Sequence, residues 1–444
     1  MLAIQFIRER TDEVRRALAD RHSDAPLDAV LAADERRRAL LIEVEAARKA
    51  KNDASKAIGA TKDPAERQRL IEAQRAVASG LDTREAELRD VEGNLDALLL
   101  QIPNIPHPDV PLGGEPDAVI VLEGDGRDGS RRRVDPPVPV HAVANPAAEA
   151  GRKPHWEIGV DAGYIDFERG SKVSGAPFYF LRGDGARLQR ALISWMLDLH
   201  RTQGYEEIYP PFLVREAALV GTGQLPKFAN TMFRAEGTDL WLVPTAEVPV
   251  TNMDRDEILE PSLLPLLHTA YTACFRHEQF SAGRDVRGIK RGYQFDKVEM
   301  VQFTEEDDSW VALDRLLGHA IEVVAALGLR YRVIRLASAD LTFASAMTYD
   351  IEVWAPGAQE WLEVSSVSNF LDFQARRANL RYRGADGRVR FLHTLNGSGV
   401  ALPRTLAAIL ETHALEDGSV EIPAALRFYL GGQTALQPRR YTSA

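Results

Sequence analysis

Cysteine is almost absent from this chain. Cys274 stands alone among 444 residues, which excludes a disulfide framework and a cysteine-rich zinc site and makes a reducing cytoplasm the expected compartment. Its neighbours Ala273 and Phe275 are apolar, so it reads as a buried strand residue rather than a nucleophile. No run of about 18 apolar residues occurs, and the opening MLAIQFIRERTDEV carries acids and arginines where a secretory signal would be apolar. Neither a membrane span nor export is expected. Positive charge is also in deficit: a net charge of −11 argues against indiscriminate nucleic-acid binding, so DNA is not an expected partner and any RNA contact must be local. What remains, 45% apolar and 27% charged residues, describes an ordinary globular chain of two or three domains.

The stretch from Phe275 to Met300, FRHEQFSAGRDVRGIKRGYQFDKVEM, organises the rest. It gathers Arg276, Arg284, Arg287, Arg291, Lys290 and Lys297 between apolar flanks and reads as a charged loop between two strands. Arg276 and Glu278 are two residues apart, so on a strand they share one face, and Phe295 on the returning strand can face them. A guanidinium captures phosphate, a carboxylate accepts from an exocyclic amine and an aromatic face stacks on a base; together they fit a nucleotide. The plainer alternative is a solvated, salt-bridged hairpin. Gly283, Gly288 and Gly292 favour the ligand, because glycine permits close backbone approach.

The first hundred residues have another character. After a short helix and the breaker-rich HSDAPLD, apolar or small residues recur at Leu40, Val44, Ala47, Ala54 and Ile58, then at Leu81, Leu88, Val91, Leu95 and Leu98, with Arg84 on the same seam. Gly59 and Pro64 between the runs can end one helix and begin the next. The pattern predicts an antiparallel coiled-coil arm over about 28–102, roughly 40 to 50 Å long. A dimerisation or spacer hairpin would look the same. Against it stands the asymmetry of charge: Arg36, Arg37, Arg38, Arg48, Lys49, Lys51, Lys56 and Lys62 crowd the first helix and the tip of an otherwise acidic chain, which suits an RNA backbone, although charge and periodicity by themselves show only a basic hairpin.

Proline and glycine between residues 102 and 117 mark a boundary. The expected division is 1–106, an N-terminal domain with its arm; 107–152, a linker and irregular segment; and 153–444, a larger domain. Residues 118–152 show no clear period, and the run Arg131–Arg133 reads as a solvated loop. Further on, RLQRALISWMLDLHRTQGYEEIYPPFLV predicts a helix running into a strand that ends at Pro210–Pro211, at a sheet edge or a strand end. DLWLVPTAEVPVTN reads as a strand entering a loop with Thr245 and Glu247; SWVALDRLLGHAIEVVAALG is helical, and alternation from 344 onward predicts antiparallel strands. The fold class is α+β.

FRHE followed by RGYQF is similar to the FRxE…RxxxF pattern of motif 2 in class II aminoacyl-tRNA synthetases, and SAGRDVRG with QFDKVEMV resembles the seryl-tRNA synthetases. The resemblance spans nearly the whole chain. It implies a class II antiparallel sheet flanked by helices and preceded by the arm, a homodimer built through motif 1, and activation of L-serine with ATP and Mg²⁺ before transfer to tRNA(Ser), and also tRNA(Sec). Arg276 and Arg404 would be the catalytic residues, holding the α- and γ-phosphates. Arg276, His277, Glu278, Phe295, Glu363, Val364, Ser365, Ser366 and Arg404 would form the ATP site, with Glu278 on the adenine amine, Phe295 stacked on the ring, and Glu363 and Ser366 at the magnesium. Thr245, Ala246 and Glu247, with Arg276, Glu299 and Ser398, would hold serine. In the family the arm grips the long variable arm of serine tRNA, which assigns Arg36, Arg37, Arg38, Arg48, Lys49, Lys51 and Lys56 to tRNA.

Seven positions depart from the family pattern: Gln279, Phe280, Tyr293, Thr342, Met347, Val367 and Phe370. All are expected beside the active site, where extra bulk reshapes a pocket or excludes an inhibitor. Two other readings stand against an ordinary synthetase. One is a specialised duplicate with the same reaction, serving antibiotic tolerance or seryl-tRNA supply to a biosynthetic pathway; the other is a catalytically inactive tRNA-binding protein.

Overall fold

The computed structural model describes residues 1–149, 151–278 and 287–438, and the chain forms two compact units, Met1–Ala19 with Ser23–Pro103, and Asp20–His22 with Asn104–Ala444. In the first, two short helices, α1 (Ile4–Glu9) and α2 (Thr11–Asp20), precede a hairpin of two long ones, α3 (Leu27–Ala60) and α4 (Pro64–Leu99). At about 1.5 Å per residue each long helix runs roughly 50 Å. The turn is set by Asp63, whose carboxylate accepts from the amides of Ala65 and Glu66, and by Pro64 at the first helical position. Gly59 lies inside the last turn of α3, and the chain leaves the helix at Thr61.

Only the inner half of this hairpin has a buried seam. Leu40 and Val44 from α3 and Leu81, Leu95 and Leu99 from α4 are buried, whereas Ala47, Ala54 and Ile58 toward the tip are half-exposed and a Gln74–Ser55 hydrogen bond of 2.6 Å joins the helices there. Ion pairs cross between the helices, Arg36 with Glu87, Arg37 with Glu92, Arg48 with Glu85 and Arg84 with Glu43, but such exposed pairs contribute about 0 to 1 kcal/mol each. Amides between residues 46 and 60 and between 64 and 78 are therefore expected to exchange with deuterium at least about tenfold faster than those flanking Leu40, Val44 and Leu95. Uniform protection along both helices would show that the seam does not govern local stability.

The second unit is built on a nine-stranded sheet. Its strands are β1 (Val119–Asp125), β2 (Ser130–Pro139), β3 (Glu206–Ile208), β4 (Leu266–Phe275), β5 (Gln294–Thr304), β6 (Arg330–Arg335), β7 (Met347–Ala355), β8 (Glu360–Leu371) and β9 (His393–Ala401). They lie in the order β2-β1-β6-β7-β8-β9-β5-β4-β3, with every pairing antiparallel except β3 with β4. The stretch without a sequence period is thus not irregular from 119 to 139. It is a hairpin that extends the sheet, and Arg131–Arg133 sit on the exposed outermost strand, with Arg132 paired to Glu123. An edge strand open to water imposes no alternation, which is why no period marks it. At the opposite edge, β3 is followed by exposed Tyr209 and by Pro210–Pro211, as the proline pair implied.

One face of the sheet is packed by α6 (Asp184–Thr202), α8 (Ser309–Ala326) and α10 (Leu402–Thr412); three shorter helices, α5 (His155–Asp161), α7 (Glu247–Thr251) and α9 (Phe373–Ala378), carry single residues used below. Val298 and Met300 of β5, Val367 of β8 and Leu395 of β9 meet Leu316 and Leu406 in one core. Fully burying each such side chain stabilises by about 1.5 to 3 kcal/mol. Gly397 admits this packing, because a Cβ there would come within 3.2 Å of Val367 and 3.3 Å of Leu316. Strand alternation turns Phe295, Lys297 and Glu299 to the other face, where the functional cavity lies. Among the described residues no helix is long and apolar enough to cross a membrane.

Candidate active site

A cavity of about 410 Å³ opens on that face, a volume suited to a small-molecule ligand. Arg276, Glu278 and Phe295 all border it, although not as two strands facing each other. Strand β4 ends at Phe275, and Arg276 to Glu278 follow as irregular backbone, held by Arg276 N–H donating to the Tyr293 carbonyl at 3.0 Å. The Arg276 guanidinium lies 5.2 Å from the centroid of the Phe295 ring, and its Nε donates to the Pro244 carbonyl at 3.2 Å. Glu278 is held loosely, with Arg291 at 3.9 Å. His277 does not border the cavity; it is exposed and stacks on Tyr293 at 5.1 Å.

Three side chains of the cavity wall, Thr245, Lys297 and Asn396, form one network with Glu299, which lies behind them and does not itself border the cavity. Thr245 donates to Glu299 Oε2 at 2.7 Å, Lys297 Nζ donates to Thr245 at 2.9 Å and is ion-paired with Glu299, and Asn396 Nδ2 donates to Glu299 Oε1 at 3.3 Å. Glu299 is 1% exposed, so its charge is held by these partners rather than by water. Strand register brings them together: Glu299 lies opposite Ser398 across β5 and β9, and Ser398 borders the same space. Glu247, the first residue of α7, accepts from Gln374 of α9 at 2.6 Å, and Gln374 Oε1 accepts in turn from Thr394 at 2.7 Å.

Burial, and next the negative charge of Glu299, push the Glu247 carboxyl up to about 7. Between the ordinary value of 4.5 and about 7 the folded chain therefore binds a proton that the unfolded chain has lost, and stability falls as pH rises through that window. Glu247→Gln keeps the oxygen that accepts from Gln374 and removes the charge. It is expected to raise the unfolding free energy relative to the parent by up to about 3 kcal/mol at pH 8 and by little at pH 5. Equal effects at both pH values in denaturant titrations would mean that Glu247 ionises normally.

At the cavity's other end Arg404, in the first turn of α10, donates to the Glu363 carbonyl at 2.6 Å and lies 3.2 Å from its carboxylate, while its Nε donates to the Lys290 carbonyl at 3.3 Å. Glu363 and Ser366 of β8 border the cavity as well, and Val364 does so while its side chain belongs to the core. Beneath Ser366, in register with it, burial and the charge of Glu363 push the Asp350 carboxyl well above its ordinary value. Two expected residues point elsewhere. The Ala246 methyl is buried with Val250 and Phe303 behind the cavity, and the Ser365 hydroxyl donates to the Ser398 carbonyl at 2.6 Å. Asn396 to Ser398 occupy the middle of β9 rather than its end.

Lys297, Lys290 and Gln374 reach the site or its partners without having been singled out. Lys297 was legible, because it alternates with Phe295 and Glu299; nothing local marks Gln374, which is brought in by the packing of α9. Cys274 is buried, as expected, and burial pushes its thiol up. The departures from the family pattern divide. Thr342 and Phe370 border the cavity, and Tyr293 lies beside it under His277. Met347 and Val367, expected beside the site, instead face the helix-packed core, because their strand positions alternate to that side. Gln279 and Phe280 lie outside the described residues, as does Gly283.

In the first unit Arg36, Arg37 and Arg48 are engaged with glutamates of α4, and Arg38 pairs with the buried Asp34. Lys49, Lys51 and Lys56 make no ion pair among the described residues; Lys49 and Lys56 are exposed, Lys51 partly so.

Known proteins resemble this chain over nearly its whole length. The family model described as seryl-tRNA synthetase N-terminal domain matches residues 1–106, and the tRNA synthetase class II core domain (G, H, P, S and T) matches residues 230–413. The serine–tRNA ligase of Thermomicrobium roseum is 53% identical over 435 residues, 98% of this chain and 94% of that protein. The serine–tRNA ligase of Chloroflexus aurantiacus is 53% identical over 441 residues, 99% of this chain and 100% of that one. Among solved structures, seryl-tRNA synthetase from Pyrococcus horikoshii complexed with ATP superimposes with a TM-score of 0.90 at 32% identity, covering 99% of this chain and 100% of that one. The cytoplasmic serine–tRNA ligase from Naegleria fowleri in complex with AMP gives 0.83 at 30% identity, covering 99% of each. Identity of this degree over the full length, in a chain that sets Arg276 and Arg404 on one cavity, places it in the seryl-tRNA synthetase family.

Proposed function

We propose that this chain is an ATP-dependent serine–tRNA ligase: it condenses L-serine with ATP to seryl-adenylate and pyrophosphate, then passes the seryl group to a hydroxyl at the 3′ end of tRNA(Ser), and of tRNA(Sec), with AMP as the leaving group. The observation that carries the reading is the single cavity in which the Arg276–Phe295 pair adjoins the buried Thr245–Lys297–Glu299 network. One part suits a nucleotide, the other a small zwitterion with a hydroxyl.

In the first step a serine carboxylate oxygen attacks the α-phosphorus in line, and pyrophosphate leaves. Positioning and charge stabilisation dominate such a reaction, and no protein nucleophile is needed. Arg276 takes the α-phosphate and, through it, the negative charge that builds as the bond to pyrophosphate breaks. Arg404 takes the γ-phosphate, Glu278 accepts from the adenine amine, and Phe295 stacks on the ring. Glu247 borders the place of the ammonium, with Glu299 behind it through Thr245 and Lys297, while Thr245 and Ser398 address the hydroxyl. A site built to hydrogen-bond a hydroxyl rejects the analogue lacking it by as much as 10⁴ to 10⁵, which excludes alanine. Threonine must be refused by lack of room.

Magnesium enters as part of the nucleotide substrate. Among the described residues no cluster of three or more His, Cys, Asp or Glu side chains is arranged to hold a metal, which suits an ion that binds through substrate phosphates and one or two protein oxygens. The carboxylate of Glu363, 47% exposed on the cavity, and the hydroxyl of Ser366 supply hard oxygens of that kind. The ion would offset phosphate charge during attack. We read the protein as a cytoplasmic homodimer; exposed Tyr209 beside the open edge of β3 supports a partner there.

The test is serine-dependent exchange of pyrophosphate into ATP, with threonine, alanine and glycine alongside and a seryl-sulfamoyl adenylate as inhibitor. Serine-specific exchange with ordinary inhibition is expected. Exchange that resists the inhibitor would instead assign Thr342 and Phe370, which border the cavity, to a specialised duplicate. No exchange with any amino acid would leave a tRNA-binding protein.

A further inference from the structure

Outside the cavity, in the last turn of α10, lies Glu411, a buried side chain both of whose oxygens are hydrogen-bonded. It is fully buried and accepts four hydrogen bonds: its Oε1 from the His155 amide at 2.9 Å and from His155 Nδ1 at 2.7 Å, its Oε2 from the amides of Gly357 at 2.8 Å and Ala358 at 2.9 Å. His155, the first residue of α5, is equally buried, and its remaining ring nitrogen, Nε2, meets the Ile289 amide at 3.2 Å. Because that amide can only donate, Nε2 must be an acceptor, and the ring proton sits on Nδ1 facing Glu411.

Both ends of this relay lead to the triphosphate end of the cavity. Ile289 precedes Lys290, whose carbonyl accepts from Arg404 and whose ammonium pairs with Glu360 at 2.6 Å. The turn at Gly357 and Ala358 opens β8, which carries Glu360, Glu363 and Ser366. Space is closed around the contact: a Cβ on Gly288, whose φ is +80°, would lie 2.0 Å from His155 Nε2, and one on Gly357 would lie 2.0 Å from the Lys153 carbonyl oxygen. A full carboxylate with four donors and no exposure is an expensive way merely to fill space, since an apolar residue of similar volume stabilises as well or better.

We infer that His155 and Glu411 are positioning residues for ATP, pinning the Ile289–Lys290 backbone and the start of β8 so that Arg404, Lys290 and Glu363 stay in register with the polyphosphate. The inference rests on the ATP-site reading above, and it goes beyond it by assigning two residues that touch no ligand.

Three variants test it in the full-length protein, each titrated calorimetrically with ATP–Mg²⁺ and with serine, and assayed for pyrophosphate exchange. His155→Asn places an amide where Nδ1 lies and keeps the donor to Glu411 but offers nothing to Ile289; His155→Gln reaches farther and restores an acceptor for that amide. His155→Asn is expected to weaken ATP about tenfold and leave serine within about twofold, with His155→Gln recovering most of the ATP affinity. Gly288→Ala, whose methyl would meet His155 Nε2 and part it from the Ile289 amide, is expected to show the same ATP-selective loss and serves if His155→Asn does not fold. Unchanged ATP affinity in Gly288→Ala or in a folded His155→Asn would overturn the inference. So would equal losses for ATP and serine in step with a lowered Tm, the mark of a merely structural pair. If the parent protein binds ATP but shows no serine-dependent exchange, the synthetase reading fails, while the ATP titrations still decide the positioning role.

Discussion

Arg276→Ala is expected to lower serine-dependent pyrophosphate exchange by about three orders of magnitude while tRNA(Ser) binding stays within about twofold. The guanidinium is fixed from two sides, by the Pro244 carbonyl at 3.2 Å and by the Phe295 ring at 5.2 Å, and so is oriented before any ligand arrives. A preorganised cation aimed at developing phosphoryl charge is worth about 10² to 10³ when a single donor is removed, and in the proposed reaction Arg276 would also offset the substrate's ground-state charge. Lysine would not replace it, since a point charge lacks the planar fork; Arg276→Lys should recover less than about tenfold. Parallel loss of exchange and of tRNA binding, by filter retention at fixed salt, would contradict the separation of chemistry from RNA contact.

Replacing residues 45–80 by a short glycine-rich turn is expected to do the reverse: exchange within about threefold of the parent, and charging of tRNA(Ser) down by more than about a hundredfold. The cut leaves the buried seam of Leu40, Val44, Leu81 and Leu95 and the Arg36–Glu87 and Arg37–Glu92 pairs, so the remaining hairpin keeps its stabilising contacts. It removes Lys49, Lys51, Lys56 and Lys62. These lysines, not the glutamate-paired arginines, are the cations available to phosphate, and each lost phosphate contact reduces the salt dependence of binding by about one counterion. Changing Lys49, Lys51 and Lys56 together to alanine should lower the salt slope more than changing Arg36, Arg37 and Arg48, whose loss should show mainly as a softer hairpin. Undiminished charging after the excision would remove the arm from the function.

The paired arginines show where reading residues one at a time falls short. Eight cations on a helix and tip look like a patch until the returning helix sets Glu85, Glu87 and Glu92 against three of them. The same holds in the cavity. Arg276, Glu278 and Phe295 were legible from their spacing, Arg404 and Glu299 came only with the resemblance to a known family, and Lys297 lies on the period-two face already drawn. Gln374 and the His155–Glu411 relay were not, since their partners lie more than a hundred residues away in sequence, Gln374 to Glu247 and His155 to both Ile289 and Glu411. Hydrogen bonds across such separations leave no local periodicity.

By itself the sequence determined the helical hairpin, the antiparallel sheet, the buried lone cysteine and the gathering of Arg276, Glu278 and Phe295, because each is written in local spacing or in immediate neighbours. Only tertiary structure decided which face those side chains take: that Ala246, Val367 and Met347 point into the core while Thr342 and Phe370 border the cavity, and that residues 119–139 extend the sheet. It alone also decided that Glu247 ionises near neutrality, since that depends on burial beside Glu299, a charge brought within reach by strand pairing rather than by proximity in the chain.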